Sequence, residues 1–215
     1  MRIDNKDLKK RIVEISYKHQ LSHIGSCLSA VDIIEDIYQQ KRPQDKFILS
    51  SGHAGLALYV VLEAHNNTID AETLLELQGI HPDRMNPLLK EYIDCSTGSL
   101  GQGLPIAIGM AIASPDVDIY CLISDGEMAE GSMWEALRIA EDQNLKNLHI
   151  YLNANGWGAY GQVKLAKLYE RLKTYEVDLT IVRTSVEQLP FLKGQSAHYY
   201  TMNEKDYKLA MQLLK

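Results

Sequence analysis

The stretch that most constrains this fold lies between residues 120 and 161. An apolar run, Tyr120–Ile123, leads into Ser124-Asp125-Gly126-Glu127. A helical pattern and a second apolar run follow, ending in Asn153-Ala154-Asn155-Gly156. Short apolar runs bounded by turn residues and separated by a helical pattern read as strand, loop, helix, strand, loop. Strands alternating with helices assemble into a parallel sheet with helices on both faces, so the expected fold is a three-layer αβα domain with a mostly parallel sheet. In such a sheet, ligands bind outside the carboxyl ends of the strands. Asp125 and Asn155 each follow a strand, and both bring oxygen donors to that edge. A carboxylate and an amide oxygen are hard ligands, suited to Mg²⁺ or Ca²⁺ holding a phosphate. Gly126 permits close approach of the backbone, and the helix start behind it favours an anion. Asp-Gly alone is an ordinary turn signal; the second oxygen donor, thirty positions further on, gives it weight.

The remaining elements follow from periodicity and cap residues. Residues 5–19 place Leu8, Ile12 and Ile15 on one helical face. Ser29-x-x-Asp32 reads as a helix start with Ser29 as N-cap, and Val31, Ile34 and Tyr38 continue it as a buried stripe to about residue 40. Residues 42–45 form a turn and 47–49 a short strand. Ser50–His53 then leads into a helix over 54–64. His23 lies in a loop. His53 sits near a helix amino terminus, where it either caps the helix or shares a phosphate with backbone donors. Asp70 is an N-cap, with Ile69 placed to pack on Leu74. Residues 96–103 are a loop of small residues opening a helix to about 113. Ser132-x-x-Glu135 reads as a capping box, with Met133, Leu137 and Ala140 facing inward. A helix over 163–175, a strand over 178–184 and a helix over 204–214 close the chain, the last carrying Tyr207, Ala210, Met211 and Leu214.

Asp-Gly followed thirty residues later by Asn resembles the thiamine diphosphate signature, Gly-Asp-Gly and a distant Asn, with Ser124 in place of the first Gly. Further segments stand in the order seen in transketolases: Ser22-His23-Ile24-Gly25-Ser26, Leu28–Ile33, Lys46–Ala54, Ser96–Leu104 and Glu130–Ala136. Over most of residues 10–161, and again around 180–200, the chain resembles the amino-terminal, diphosphate-binding domain of that family. The resemblance implies thiamine diphosphate as cofactor with Mg²⁺ (or Ca²⁺), the metal being held by Asp125, Asn155 and the backbone carbonyl of Trp157. It implies cofactor contacts from His53, Gly98, Leu100, Asp125, Gly126, Asn155 and His198. His23, His53, His81 and His198 would orient sugar hydroxyls and move protons, a task suited to a side chain that titrates near neutrality. Glu130 would lie at a subunit interface. The sequence departs from the family at Asn153, where an Asp is usual, and at Ile80, which separates Gly79 from His81. It also lacks a late strand and helix with a Gly-His-Asp loop.

Composition sets limits on function. The 215 residues are 46% hydrophobic and 23% charged, with a net charge of −6, which suits one globular domain over 1–215. No basic cluster suggests nucleic acid. Cys27, Cys95 and Cys121 have neither disulfide-framework nor zinc-ligand spacing, the start is too polar for a signal peptide, and no apolar run spans a membrane. A cytoplasmic protein is expected. The carboxylate that activates the cofactor, and the arginines that bind sugar phosphate, belong in this family to a pyrimidine-binding domain, which with the C-terminal domain is not found here. The resemblance therefore implies the diphosphate-binding subunit of a split transketolase. A separate C-terminal subunit would complete it, in an α2β2 assembly acting on sugars or sugar phosphates. Two other readings are a component of a related thiamine enzyme, of the deoxyxylulose-phosphate-synthase or 2-oxo-acid decarboxylase or dehydrogenase type, and a non-catalytic subunit descended from this domain.

Overall fold

The computed structural model describes residues 5–66, 68–87 and 89–215. Four strands, β1 (Lys46–Leu49), β2 (Ile119–Ser124), β3 (Leu148–Ala154) and β6 (Leu179–Arg183), form one parallel sheet in the order β1-β2-β3-β6. A two-stranded antiparallel ribbon, β4 (Trp157–Gly158) and β5 (Gly161–Gln162), follows β3. The α/β layering expected from the alternation of elements is thus observed.

Side-chain alternation along the strands divides the core into two layers. Tyr120 and Leu122 of β2 join the cluster formed by α1 (Asn5–Lys18), α2 (Ile24–Gln40), α3 (Gly55–His65) and α4 (Ala71–Gln78). Ile119, Cys121 and Ile123 point the other way, into the cluster with α5 (Gly103–Ala113), α6 (Gly131–Asp142) and α7 (Leu165–Leu172). Buried on both faces, β2 is apolar from Ile119 to Ile123, as suits a central parallel strand, and ends in Ser124 at the sheet edge. The closing helix α8 (Glu204–Leu213) starts with a capping box, Asn203 and Asp206 each accepting from the other's backbone. Among the described residues, no helix is long and apolar enough to cross a membrane.

Several local expectations hold. Asp70 caps α4, accepting from the amides of Glu72 and Thr73. Leu8, Ile12, Ile15, Val31, Ile34, Met133, Leu137 and Ala140 are buried. The helix expected over 163–175 is shorter, Leu165–Leu172. Two cap assignments are corrected. Ser29 is not an N-cap: α2 begins five residues earlier, after His23, and the Ser29 hydroxyl donates to the Ser26 carbonyl at 3.0 Å. Ser132 forms no capping box either. The N-cap position belongs to Glu130, and the Ser132 hydroxyl donates to the Gly101 carbonyl at 2.7 Å. Ser132 is claimed by a tertiary partner, whereas Ser29 lies inside the longer helix, where its hydroxyl bonds the carbonyl one turn back.

The extra residue Ile80 is absorbed by α3. Tyr59 donates to the Gly79 carbonyl at 3.0 Å, and Gly55 has no side chain to obstruct the chain at Ile80. A methyl group at Gly55 would overlap the Ile80 carbonyl oxygen. Gly109, on the exposed side of α5, has no atom in the way of a methyl group. Gly55→Ala is therefore expected to cost about 1–3 kcal/mol, and Gly109→Ala to gain about 0.5–1 kcal/mol from helix propensity. Urea unfolding of the two variants checks both signs.

Candidate functional site

Strand register builds the site. Ser124 pairs with Asn153 across β2 and β3, and Ser50, just after β1, donates its amide to Leu122 at 2.9 Å. The loops after β1, β2 and β3 therefore emerge side by side at the carboxyl edge. They border a cleft of about 250 Å³ whose lining includes His23, His53, His81, His198, Gly98 and Leu100. Gly126, Asn155 and Trp157 also line it.

Asp125 is 1% exposed. Its Oδ2 accepts from the Gly156 amide at 2.6 Å, which ties the two loops together. Its Oδ1 is buried without a hydrogen-bond partner. Desolvation pushes the carboxyl up to about 7, against the pull of the Gly156 and Gly126 amides. Burying a carboxylate oxygen without a partner among the described residues is costly, and a bound cation would offset that cost. The neighbouring donors suit a hard cation. Asn155 Oδ1 accepts from the Trp157 amide at 2.9 Å and keeps a lone pair. The Trp157 carbonyl oxygen faces the Asp125 loop, 3.3 Å from where a Gly126 side chain would begin. The loops touch so closely that a Gly126 methyl group would lie 2.8 Å from the Gly158 Cα. Carboxylate, amide and carbonyl oxygens together fit Mg²⁺ or Ca²⁺.

Opposite these oxygens stands a histidine cluster. Ring centroids are 5.1 Å apart for His23 and His53, 6.2 Å for His53 and His198, and 6.4 Å for His23 and His198. Burial and the neighbouring imidazoles push His53 down to about 3. His23 is lowered by burial and by His198 and His81, and His198 by burial. The cluster is neutral at pH 7 and offers ring nitrogens as donors or acceptors without carrying charge. His81 lies against Gly98, whose notional Cβ would be 2.9 Å from the His81 ring. The four histidines thus share one cleft. Glu130 is half-buried and accepts from the Tyr160 hydroxyl at 3.4 Å; Tyr160 is 81% exposed.

Three residues were missed in the sequence. Glu127 is fully buried and ties three segments together: Oε1 accepts from Ser50 Oγ at 2.7 Å and the Gly101 amide at 3.1 Å, and Oε2 from the Ser124 amide at 3.0 Å. The only hint of it was an acid directly behind the Asp-Gly pair. Ser26 lies one helical turn from His23, on the face that looks into the cleft. Tyr199, beside His198, is exposed at the cleft mouth with its ring 6.1 Å from His23. Asn153 is also explained. Its amide donates to Ser29 Oγ at 3.0 Å and its oxygen accepts from Thr184, and a carboxylate could not make the first of these bonds.

Residues 12–187 match the family model described as transketolase, thiamine diphosphate binding domain. The chain belongs to this family. It is 35% identical to human transketolase over 204 residues, covering 83% of this chain and 32% of that protein. To the bovine transketolase-like protein 2 it is 39% identical over 162 residues, covering 66% and 25%. It spans about a quarter to a third of these relatives. A shorter relative, one named subunit of the apulose-4-phosphate transketolase of Phocaeicola vulgatus, is 35% identical over 166 residues, covering 68% of this chain and 58% of that one. The fold is that of a solved transketolase variant from Pichia stipitis, with a TM-score of 0.78 and 18% identity over 98% of this chain and 40% of that one.

The lowered histidines fix a pH dependence of this thiamine-diphosphate-binding domain. In the unfolded chain these rings take up protons near pH 6.5, and in the folded chain only at lower pH. Their contribution to stability is full above about pH 6.5 and is lost as pH falls toward the folded value, about 3 for His53. Asp125, raised to about 7, acts in the opposite sense, so the readout is the difference: between about pH 6.5 and 3 the melting temperature of His53→Gln is expected to fall less, relative to its value at pH 7, than that of the wild type. Thermal melts across this range check the slopes.

Proposed function

We propose that this chain is the diphosphate-binding subunit of a split transketolase, which moves a two-carbon ketol unit from a ketose to an aldose. The observation that supports this reading best is the unpartnered oxygen of buried Asp125, whose neighbours in the two loops, Gly126, Asn155 and Trp157, line one cleft with four histidines. Asp125, Asn155 and the Trp157 carbonyl would hold Mg²⁺ or Ca²⁺ against the cofactor's diphosphate. Gly126 keeps the loop close; the Gly98 backbone, the Leu100 side chain, His53 and His198, all lining the cleft, would hold the cofactor. Thiamine diphosphate, when bound, supplies the carbanion stabilisation that the cleavage of a ketose requires. His23, His53, His81 and His198 then orient sugar hydroxyls and exchange protons with them. His23, His53 and His198, held neutral by burial, each offer one ring N–H as donor and one ring nitrogen as acceptor.

The Phocaeicola vulgatus relative carries the name of a subunit, not of a whole transketolase, which supports the expectation of a second chain. That partner would carry the pyrimidine-binding domain and the carboxylate that activates the cofactor. Glu130 would lie at the interface, and two copies of each chain would form the α2β2 assembly.

The test is a substrate panel on this chain mixed with a candidate partner subunit, thiamine diphosphate and Mg²⁺. Ketol transfer is expected from ketose donors only in the mixture, with no release of carbon dioxide from pyruvate. Asp125→Ala is expected to lower the rate at least 100-fold, about 3 kcal/mol of transition-state stabilisation. Turnover of pyruvate would favour a related thiamine enzyme, and full activity of Asp125→Ala would overturn the metal-anchor assignment.

A further inference from the structure

The late turn Gly194–His198 is fastened to the start of α2 at three points. The His23 amide donates to the His198 carbonyl at 2.9 Å. Gly25 admits Ala197 so closely that a methyl group at Gly25 would lie 3.0 Å from the Ala197 Cβ. Ser26 Oγ lies 2.7 Å from His198 Nδ1. The other ring nitrogen, Nε2, is buried without a partner and belongs to a residue lining the cleft. His198 and Ser26 are 6% and 3% exposed.

Which nitrogen carries the proton follows from counting hydrogens. A neutral imidazole has one N–H, and a serine has one O–H. If Nδ1–H donated to Ser26, the serine hydrogen would be buried with nothing to receive it. Among the described residues, Ser26 Oγ has no hydrogen-bond partner except His198. With the hydroxyl donating to Nδ1, the serine hydrogen and Nδ1 are both satisfied and only the Nε2 hydrogen is left without a partner, against two orphaned groups in the other tautomer. We infer that Ser26 is a positioning residue that holds His198 in the Nε2–H tautomer, so that a fixed N–H donor faces the cleft before any ligand arrives. Such a donor suits an oxygen acceptor carrying full or developing negative charge, a phosphate oxygen or a sugar alkoxide. Donors aimed in advance need no reorganisation when charge appears. This role for the donor rests on the proposed function; the tautomer does not.

The experiment is a long-range proton–nitrogen correlation spectrum of the full chain, free of cofactor, with ¹⁵N-labelled histidine. His198 is assigned by its disappearance in His198→Gln. The expected wild-type pattern is a single neutral tautomer protonated at Nε2. Ser26→Ala is expected to give a mixture of both tautomers, and Ser26→Thr, which keeps the hydroxyl, to restore the single one. A proton on Nδ1 in the wild type, or an unchanged His198 pattern in Ser26→Ala, would overturn the inference. The wild-type spectrum decides the tautomer even if a variant fails to fold. If the tautomer is as stated but the chain and its partner never bind thiamine diphosphate, only the proposed function falls.

Discussion

The parallel pairing of β2 with β3 is the constraint on which the site depends. With Ser124 opposite Asn153, the two strands end level, and the next residues on each form the Asp125 and Asn155 loops. A one-residue slip would turn every side chain of β2 to the opposite layer, setting Tyr120 and Leu122 where Cys121 and Ile123 now pack. Because both faces are buried, the core fixes the register, and the register fixes the separation of the oxygen donors. The Gly156 amide on Asp125 and the meeting of Gly126 with Gly158 are consequences of that alignment.

Burial perturbs two kinds of polar group at this edge of the sheet. Asp125 keeps one oxygen bare, so the fold bears the cost of a desolvated carboxylate that a cation would offset. The histidines crowd one another in a space dry enough to keep them neutral. A buried carboxylate oxygen without a partner, near neutral donors and acceptors, is what the proposal of an anion bound through a metal rests on. Glu127 resolves its own burial by accepting bonds from three segments. It ties the loops together, while Asp125 keeps one oxygen without a partner.

What was legible in the sequence was set by local pattern. The strands, the two-layer core and the Asp70 cap follow from periodicity and short-range chemistry, as does the placing of Asp125 and Asn155 on one edge. What was not legible was set by distant partners. Ser29 and Ser132 carry local helix-start signals, yet Ser29 lies inside α2 and accepts from the Asn153 amide, and Ser132 donates to the Gly101 carbonyl. The start of α2 is fixed by His23, held in a left-handed conformation at φ 63 and bonded to His198, 175 positions away. Ser26 and Glu127 acquire their roles from His198, Ser50 and Gly101, none of which any local window contains. Asn153 looked like a lost charge and is instead a donor to Ser29.

The central claim is that Asp125 anchors a divalent cation against a diphosphate. The most direct measurement is the loss of the free Mn²⁺ paramagnetic resonance signal on titration into this chain with its partner subunit, with and without thiamine diphosphate. Saturable uptake that requires the diphosphate and disappears in Asp125→Asn is the result predicted. Uptake that is unchanged in Asp125→Asn, or indifferent to the diphosphate, would contradict it.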